Sequence, residues 1–315
     1  MMVSKRTILS VFIILIVVVI FVFVSYVALM LSIFGGPKVY IGTVTKTIPD
    51  NYSNVILSIC HTTGSGSIQM APRGVDYALS VEVDAFRDSG YNLSWVQTIG
   101  YTELTNETIS VGFDDCPFVT VDPPLGWNNV RFHIREDINL SLEIWAGGDG
   151  SNITLQNLTI SNLKLNYGYS FKEHFTSFSN VVFNSSAPLT FHSEAASQFE
   201  LNNNQYTSNF TIWDIELESR FRHTNFDVIQ LIPPNPRPST QHYRIDSNGQ
   251  TLVINLLLNQ SFGVKIDVIT ESGFIQLPNN LTAYNSPNYE VADVKYVFMV
   301  NSTSGNVTFN LLDSV

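Results

Sequence analysis

Two hydrophobic patterns divide this chain. Thr7 to Phe34 carries no charged side chain and is almost continuously Ile, Val, Leu, Phe and Met. Beyond Lys38 the apolar positions alternate with polar ones instead. In Val75–Ala85 the odd positions Val75, Tyr77, Leu79, Val81, Val83 and Ala85 are apolar, and Asp76, Ser80, Glu82 and Asp84 lie between them, with Ala78 the exception. A period of two is the mark of a strand with one buried face. Runs rich in β-branched and aromatic residues recur at Val55–Cys60, Val130–Ile134, Leu140–Trp145, Phe210–Leu217, Leu252–Leu258, Val264–Ile269 and Val294–Val300. Gly, Pro, Asn and Asp bound them, as at strand ends. The pattern predicts one apolar helix and then an all-β part.

A helix over Thr7–Phe34 would be about 40 Å long, against roughly 30 Å of bilayer hydrocarbon, so it can span with tilt. No second apolar stretch of that length follows. Lys5 and Arg6 precede the span and only Lys38 closely follows it. The positive-inside rule then puts residues 1–6 in the cytoplasm and the rest outside. The apolar core is about twice as long as that of a cleaved signal peptide, and its exit Ser32-Ile33-Phe34-Gly35-Gly36-Pro37 lacks an A-x-A site, so a retained signal anchor is expected.

Short units repeat in the outer part. Ser65-Gly66-Ser67-Ile68-Gln69-Met70, Ser272-Gly273-Phe274-Ile275-Gln276-Leu277 and Ser304-Gly305-Asn306-Val307-Thr308-Phe309 share Ser-Gly-x-[Ile/Val]-x-apolar, each after a strand-like run. The expectation is a strand, a turn that glycine permits, and a second strand, stacked as hairpin rungs. Ile153–Tyr167 reads ITLQN, LTISN, LKLNY. Five is odd, so each step flips the apolar face unless the chain turns at Asn157 and Asn162 or bulges there. A break near Asn166–Lys172 and the run Pro233–Pro238 divide the chain loosely. The expected organisation is a tail at 1–6, an anchor at 7–34, and β halves at 38–167 and 168–315, or one continuous rack.

The strand–Ser-Gly–strand units resemble the adhesin family of β-rack ("toast-rack") domains. The match is strongest over Gly263–Leu312, with VKIDVITESGFIQLP and then VKYVFMVNSTSGNVTFNL; NVILSICHTTGSGSIQM at Asn54–Met70 gives a first rung, and Asn139–Tyr167 matches more loosely. The resemblance implies stacked hairpins at a cell surface, a solenoid-like or sandwich ectodomain, and no shared catalytic site. Tyr91–Asn129 and Tyr169–Asn248 depart from the simple rungs and read as insertions.

Composition narrows the partners. The net charge of −11 argues against nucleic acid and anionic lipid, and only 14% of residues are charged. Neutral Asn, Ser and Thr wet the surface. Twelve N-x-[ST] sequons all lie beyond the span: Asn51, Asn92, Asn106, Asn139, Asn152, Asn157, Asn184, Asn209, Asn259, Asn280, Asn301 and Asn306. They suit a glycosylated exterior, although an Asn/Ser/Thr-rich chain also produces them by composition. The two cysteines, Cys60 and Cys116, suit a disulfide there, worth about 4 kcal/mol in the chain-entropy account; two buried thiols are the alternative.

Catalytic chemistry is sparse. His61, His133, His174, His192, His223 and His242 show no close ligand spacing, so no metal or cofactor is expected. Gly147–Leu155 resembles a calcium nonapeptide, but Asn152 and Thr154 replace its key residues and a Gly-rich turn fits better. Glu82 with Asp84, and Asp114 with Asp115, could serve a glycosidase only if brought across a cleft. Trp95, Trp127, Trp145 and Trp213 are the likeliest binding chemistry if exposed, and core otherwise. The reading is a membrane-anchored extracellular structural or adhesive protein, not an enzyme, whose partners are the bilayer and a surface glycan or protein. A pilin-like filament subunit is the second reading, although Lys5-Arg6 lacks the small residue that precedes such helices. An ectoenzyme or glycan-binding module is the third.

Overall fold

The computed structural model describes residues 23–26, 40–61, 64–71, 74–86, 100–112, 127–148, 150–170, 172–218, 222–234, 237–278 and 281–312. Of the expected membrane span, only 23–26 fall within this set, and they are helical and exposed. Among the described residues no helix is long and apolar enough to cross a membrane. The rest of Thr7–Phe34 lies outside them.

The described residues from Tyr40 onward are all-β. The chain opens with β1 (Tyr40–Pro49), β2 (Asn54–His61), β3 (Gly64–Met70), β4 (Tyr77–Phe86), β5 (Gly100–Thr105), β6 (Thr108–Gly112) and β7 (Trp127–Ile134). A regular middle follows: β8 (Asn139–Gly148), β9 (Ser151–Gln156), β10 (Thr159–Ser170), β11 (His174–Ser179), β12 (Val182–Phe183), β13 (Leu189–Ser193), β14 (Ser197–Asn202), β15 (Gln205–Tyr206), β16 (Phe210–Glu218), β17 (His223–Gln230), β18 (Ser239–Asn248) and β19 (Thr251–Leu258). The chain closes with β20 (Gly263–Thr270), β21 (Ile275–Gln276), β22 (Ala283–Asn285), β23 (Val294–Ser304) and β24 (Val307–Leu312).

These strands form two sheets. The first runs β1-β4-β7-β3-β9-β11-β14-β17-β19-β24-β21, and the second β22-β20-β23-β18-β16-β13-β10-β8-β2-β6-β5. From β8 to β19 successive long strands alternate between the sheets, so neighbours there are one circuit apart and parallel. At the ends β1–β4, β4–β7, β5–β6 and β20–β22 pair antiparallel. Thr154, Ser177, Glu200, Asp227 and Asn255 align across β9, β11, β14, β17 and β19, at sequence spacings of 23 to 28 residues. The strand–turn–strand units are thus not hairpins: the two strands of each unit sit in opposite sheets and pair with other rungs. The architecture is the solenoid-like alternative of the expectation.

The last two rungs are out of sequence order. β23 lies between β18 and β20, and β24 between β19 and β21. The rung β23–β24 slots inside β20–β21, which closes the stack. Ser272-Gly273 and Ser304-Gly305 accordingly occupy stacked turns, and Ser272 Oγ donates to the Thr303 carbonyl at 3.1 Å. Ser65-Gly66 does not share that place. It lies inside β3, paired with Asn152 and Ile153 of β9. The expected equivalence of the three motifs therefore holds for two.

Alternation supplies the core. Leu163, Leu189, Trp213, Tyr243, Phe298 and Ile266 form one inward row of the second sheet, each 0% exposed. Phe199, Phe226, Ile254 and Phe309 face them from the first sheet. Trp213 meets Phe183 edge-on at 5.2 Å and Phe199 at 5.6 Å, and Phe199 stacks on Phe226 at 5.0 Å. Each such ring contributes about 1.5–3 kcal/mol by burial. The most regular part of this core comes from 169–248, which the sequence pattern had set apart as an insertion.

The corners are rich in polar side chains. Asn157, Asn180 and Asn203 adopt left-handed backbone at φ 54°, 53° and 47°, one above another at the end of the first sheet. Asparagine tolerates this conformation better than other side-chain-bearing residues. Asn157 is thus a true corner of the pentad segment. Near Asn162 the register against β8 slips by one residue, between Ile160 and Asn162. The two proposed explanations of the five-residue period apply at successive sites.

Candidate functional site

Among the described residues the inward strand positions are consumed by the core, so the strands offer solvent their two outer faces. They differ. On the first sheet Asn310 Nδ2 donates to Asn255 Oδ1 at 2.8 Å, and Asn255 Nδ2 donates to Asp227 Oδ1 at 2.7 Å. Neighbouring positions hold Thr154, Ser177, Gln198, Asn225 and Thr308. Over β9–β24 the described positions of this face are mostly neutral, with Glu200 and Asp227 among them, and Asn310, Asn255 and Asp227 are linked along the stack.

The second sheet presents aromatic and charged groups. One outward row aligns Trp145, Asn166, His192, Glu216, Asp246 and Asn301; the next aligns Glu143, Lys164, Thr190, Asp214, Arg244 and Met299. Trp145 is half-buried. Its indole Nε1 donates to Glu143 Oε1 at 2.9 Å, Lys164 Nζ donates to the same oxygen at 2.9 Å, and the ammonium lies 4.9 Å from the ring centre. The Glu143 carboxylate thus fixes both the ring and the cation beside it. Tyr169 is 57% exposed, with the Arg222 guanidinium 5.4 Å from its ring centre. Phe210, 52% exposed, lies 4.4 Å from the His242 ring. Burial and then the Arg244 charge lower the His242 pKa.

A compact ionisable group sits mid-face. His192 Nε2 is 3.6 Å from Glu194 Oε1, and its Nδ1 is 3.3 Å from Glu216 Oε2. One ligand atom each from His192, Glu194 and Glu218 lies within 4.8 Å of the others. This is the set among the described residues that could hold a metal ion, and residue spacing alone did not reveal it. Its sequence trace is two x-alternating pairs, His192/Glu194 and Glu216/Glu218, which mean nothing until the rung register sets them side by side.

The other sequence candidates scatter. Glu82 is tied to Arg131 at 3.0 Å across β4 and β7. Asp114 and Asp115 lie outside the described residues, as does the Asp84 side chain, so no glycosidase pair is brought together among the described residues. Trp213 is core, and Trp95 and the Trp127 side chain lie outside the described residues. His133 neighbours Glu82 at 3.8 Å and Gln69 at 3.3 Å. His174 is fully buried, with Nδ1 2.8 Å from Ser151 Oγ and its ring stacked on Tyr167 at 4.7 Å. That serine–histidine contact is a polar corner filling inside the stack, closed to substrate by its burial. His223 pairs with Glu173 at 3.8 Å. Gly150 takes φ 87° between β8 and β9, and most of the Gly147–Leu155 segment lies in those two strands. Cys116 and the Cys60 side chain are outside the described residues.

The fold is a two-sheet, predominantly parallel β-solenoid with an acidic, aromatic outer face on one sheet. No family model matches the sequence, and no curated protein matches it. The solved structures similar to it are candidate adhesins. A candidate cell adhesion protein from Clostridium sporogenes is 10% identical at a TM-score of 0.37, covering 86% of this chain and 99% of its own. A candidate adhesin from Bacteroides fragilis is 9% identical at 0.34, covering 88% and 98%. One from Parabacteroides distasonis is 8% identical at 0.25, covering 87% and 97%. At these identities and TM-scores the likeness carries no functional inference.

Proposed function

We propose that the chain is a single-pass surface protein that holds a β-rack outside the cell, in a structural or adhesive role. The observation that carries this reading is the outer face of the second sheet. Trp145, Tyr169 and Phe210 stand on it among carboxylates and amides, supported by strands rather than by loops. Exposed aromatics on a rigid flat scaffold suit recognition of a surface glycan or a protein, by ring stacking and hydrogen bonding, more than they suit catalysis in a cleft. The apolar run Thr7–Phe34 supports anchoring, and β1 begins at Tyr40, so the rack would stand close to the membrane. We read the β part as one continuous rack.

Two further parts belong to this reading. Asn51, Asn106, Asn152, Asn157, Asn184, Asn209, Asn301 and Asn306 are exposed, which fits glycan attachment. Asn139 and Asn259 are half-buried with their amides engaged by Asn54 Oδ1 and the Leu231 carbonyl, and suit it less. Asn92 and Asn280 lie outside the described residues. The second part is a Cys60–Cys116 disulfide.

The test is binding of the purified full chain to a panel of immobilised glycans and to intact cells. Replacing Trp145 by Ala should weaken binding about tenfold or more, as expected for an anchor worth about 1.4 kcal/mol. Undiminished binding by a Trp145→Ala, Tyr169→Ala double variant would remove this face from the function.

A further inference from the structure

We propose that the second sheet's outer face binds one divalent transition-metal cation through His192, Glu194 and Glu218, with Glu216 orienting the imidazole. The proposal does not depend on the adhesive reading. It begins with strand geometry. Residues two apart on a strand point the same way, roughly 6.6 Å apart, and parallel neighbours lie about 4.8 Å apart. His192 pairs in register with Glu216, and Ser193 with Leu217, which sets Glu194 beside Glu218 on the outward side. The four side chains therefore form a square of one imidazole and three carboxylates.

The distances suit coordination. The ligand atoms of His192, Glu194 and Glu218 already lie within 4.8 Å of one another. Around an ion with bonds of about 2.0–2.2 Å they would close to about 3.5 Å, a movement of side-chain torsions only. Glu216 adds what a bare acidic cluster lacks. At 3.3 Å from Nδ1, its carboxylate is placed to accept a hydrogen bond from Nδ1–H, the tautomer that turns the Nε2 lone pair toward Glu194 and Glu218. A carboxylate behind a ligating histidine is the usual way a metal site fixes the tautomer.

Charge gives an independent reason. Three other carboxylates on this face have a cation near them: Glu143 with Lys164 at 2.9 Å, Asp267 with Lys265 at 3.2 Å, and Asp214 in register with Arg244. At the square, Glu194 and Glu218 adjoin, and Glu216 is also in register with Asp246. Like charges on facing strand positions destabilise a sheet, and a divalent ion held between them would offset that. The imidazole selects zinc-like ions over calcium, which prefers an all-oxygen shell. Three protein ligands leave the remaining position to water or to a donor from whatever rests on the face.

The experiment is calorimetric titration of Zn2+ into the chelator-treated full chain near neutral pH. One saturable site is expected. His192→Asn and Glu218→Gln should each weaken it at least tenfold, and Glu216→Gln about tenfold through loss of imidazole positioning. His223→Asn, away from the square, should leave it unchanged. At a hundredfold excess over Kd, Zn2+ should raise Tm by about 5 °C, and this rise should vanish in His192→Asn. Co2+ should give a visible absorption band that His192→Asn abolishes. Circular dichroism of each metal-free variant confirms that the fold persists. Absence of saturable binding up to about 1 mM, or a site that survives His192→Asn and Glu218→Gln, would overturn the proposal. Tighter binding of Ca2+ than Zn2+ would overturn the choice of ion.

Discussion

Gly305 takes φ 109° and Gly273 φ 123°, both in the region that L side chains avoid. The space is closed as well. A Cβ on Gly305 would fall on the Gln250 carbonyl oxygen, and one on Gly273 on the Gly305 carbonyl oxygen. Three turns stack too closely for any side chain. Gly305→Ala should cost about 3 kcal/mol in chemical denaturation, whereas Gly147→Ala, with nothing within 4 Å of its Cβ, should change stability by less than about 1 kcal/mol. A three-residue motif makes this legible only where a turn encloses it. Ser65-Gly66 has the same letters, yet it sits at the strand positions held by Asn152 and Ile153 one rung on. The buried tyrosines make a second residue-scale prediction. Burial raises Tyr206 to about 12, offset in part by hydrogen bonds with Tyr243 and Trp213, and burial raises Tyr243 and Tyr296 as well. A folded pKa above the unfolded value of about 10 means the contribution is complete below pH 10 and is lost as pH climbs through the folded pKa. Tyr206 alone should remove on the order of 3 kcal/mol between about pH 10 and about pH 12. Urea denaturation across that range should show a loss that is smaller in Tyr206→Phe; an equal loss in both proteins would exclude Tyr206 as a source.

At the scale of elements, alternation reveals strands but not their partners. Every strand-like run named from the sequence is a strand, from β2 at Val55–Cys60 to β23 at Val294–Val300. The short ones were illegible for a simple reason. β12 and β15 have two residues each, and no period shows in two residues. They exist because the asparagine corner returns the chain to the second sheet in register. Asn203 Oδ1 accepts the Leu231 N–H at 3.0 Å, and Asn204 Oδ1 accepts the Val181 N–H at 2.9 Å, so side chains of one rung satisfy the backbone of its neighbours. Asn204 is fully buried. Asn204→Leu should therefore cost about 2 kcal/mol, the penalty for a buried N–H left without its acceptor. Hydrogen exchange should accelerate first at Val181, whose N–H loses its acceptor, and then at Val182 beside it. A stability equal to that of the parent protein would show that the ladder does not support this corner.

The whole molecule is a stack in which each rung touches chiefly its neighbours, so stability is nearly one-dimensional along it. Connectivity at this scale was the least legible from sequence. Ser272-Gly273 and Ser304-Gly305 suggested hairpins, because a glycine turn between two alternating runs looks the same whether the strands fold back or pass to opposite sheets. The insertion of β23–β24 inside β20–β21 leaves no periodic trace at all. The candidate face was legible in its parts, since Trp145 is one of four tryptophans the sequence offers as binding or core residues, but not in its assembly. His192 and Glu216 become neighbours only through a rung register that no local pattern encodes. That register is the central claim, and one distance tests it directly. With Cys60 and Cys116 replaced by serine, spin labels on Thr154 and Asn310 report the outer row of the first sheet, Thr154–Ser177–Glu200–Asp227–Asn255–Asn310. Five parallel steps place the labels about 24 Å apart, in a single narrow distribution by double electron–electron resonance. A broad distribution, or one centred beyond about 35 Å, would contradict the stacked rack.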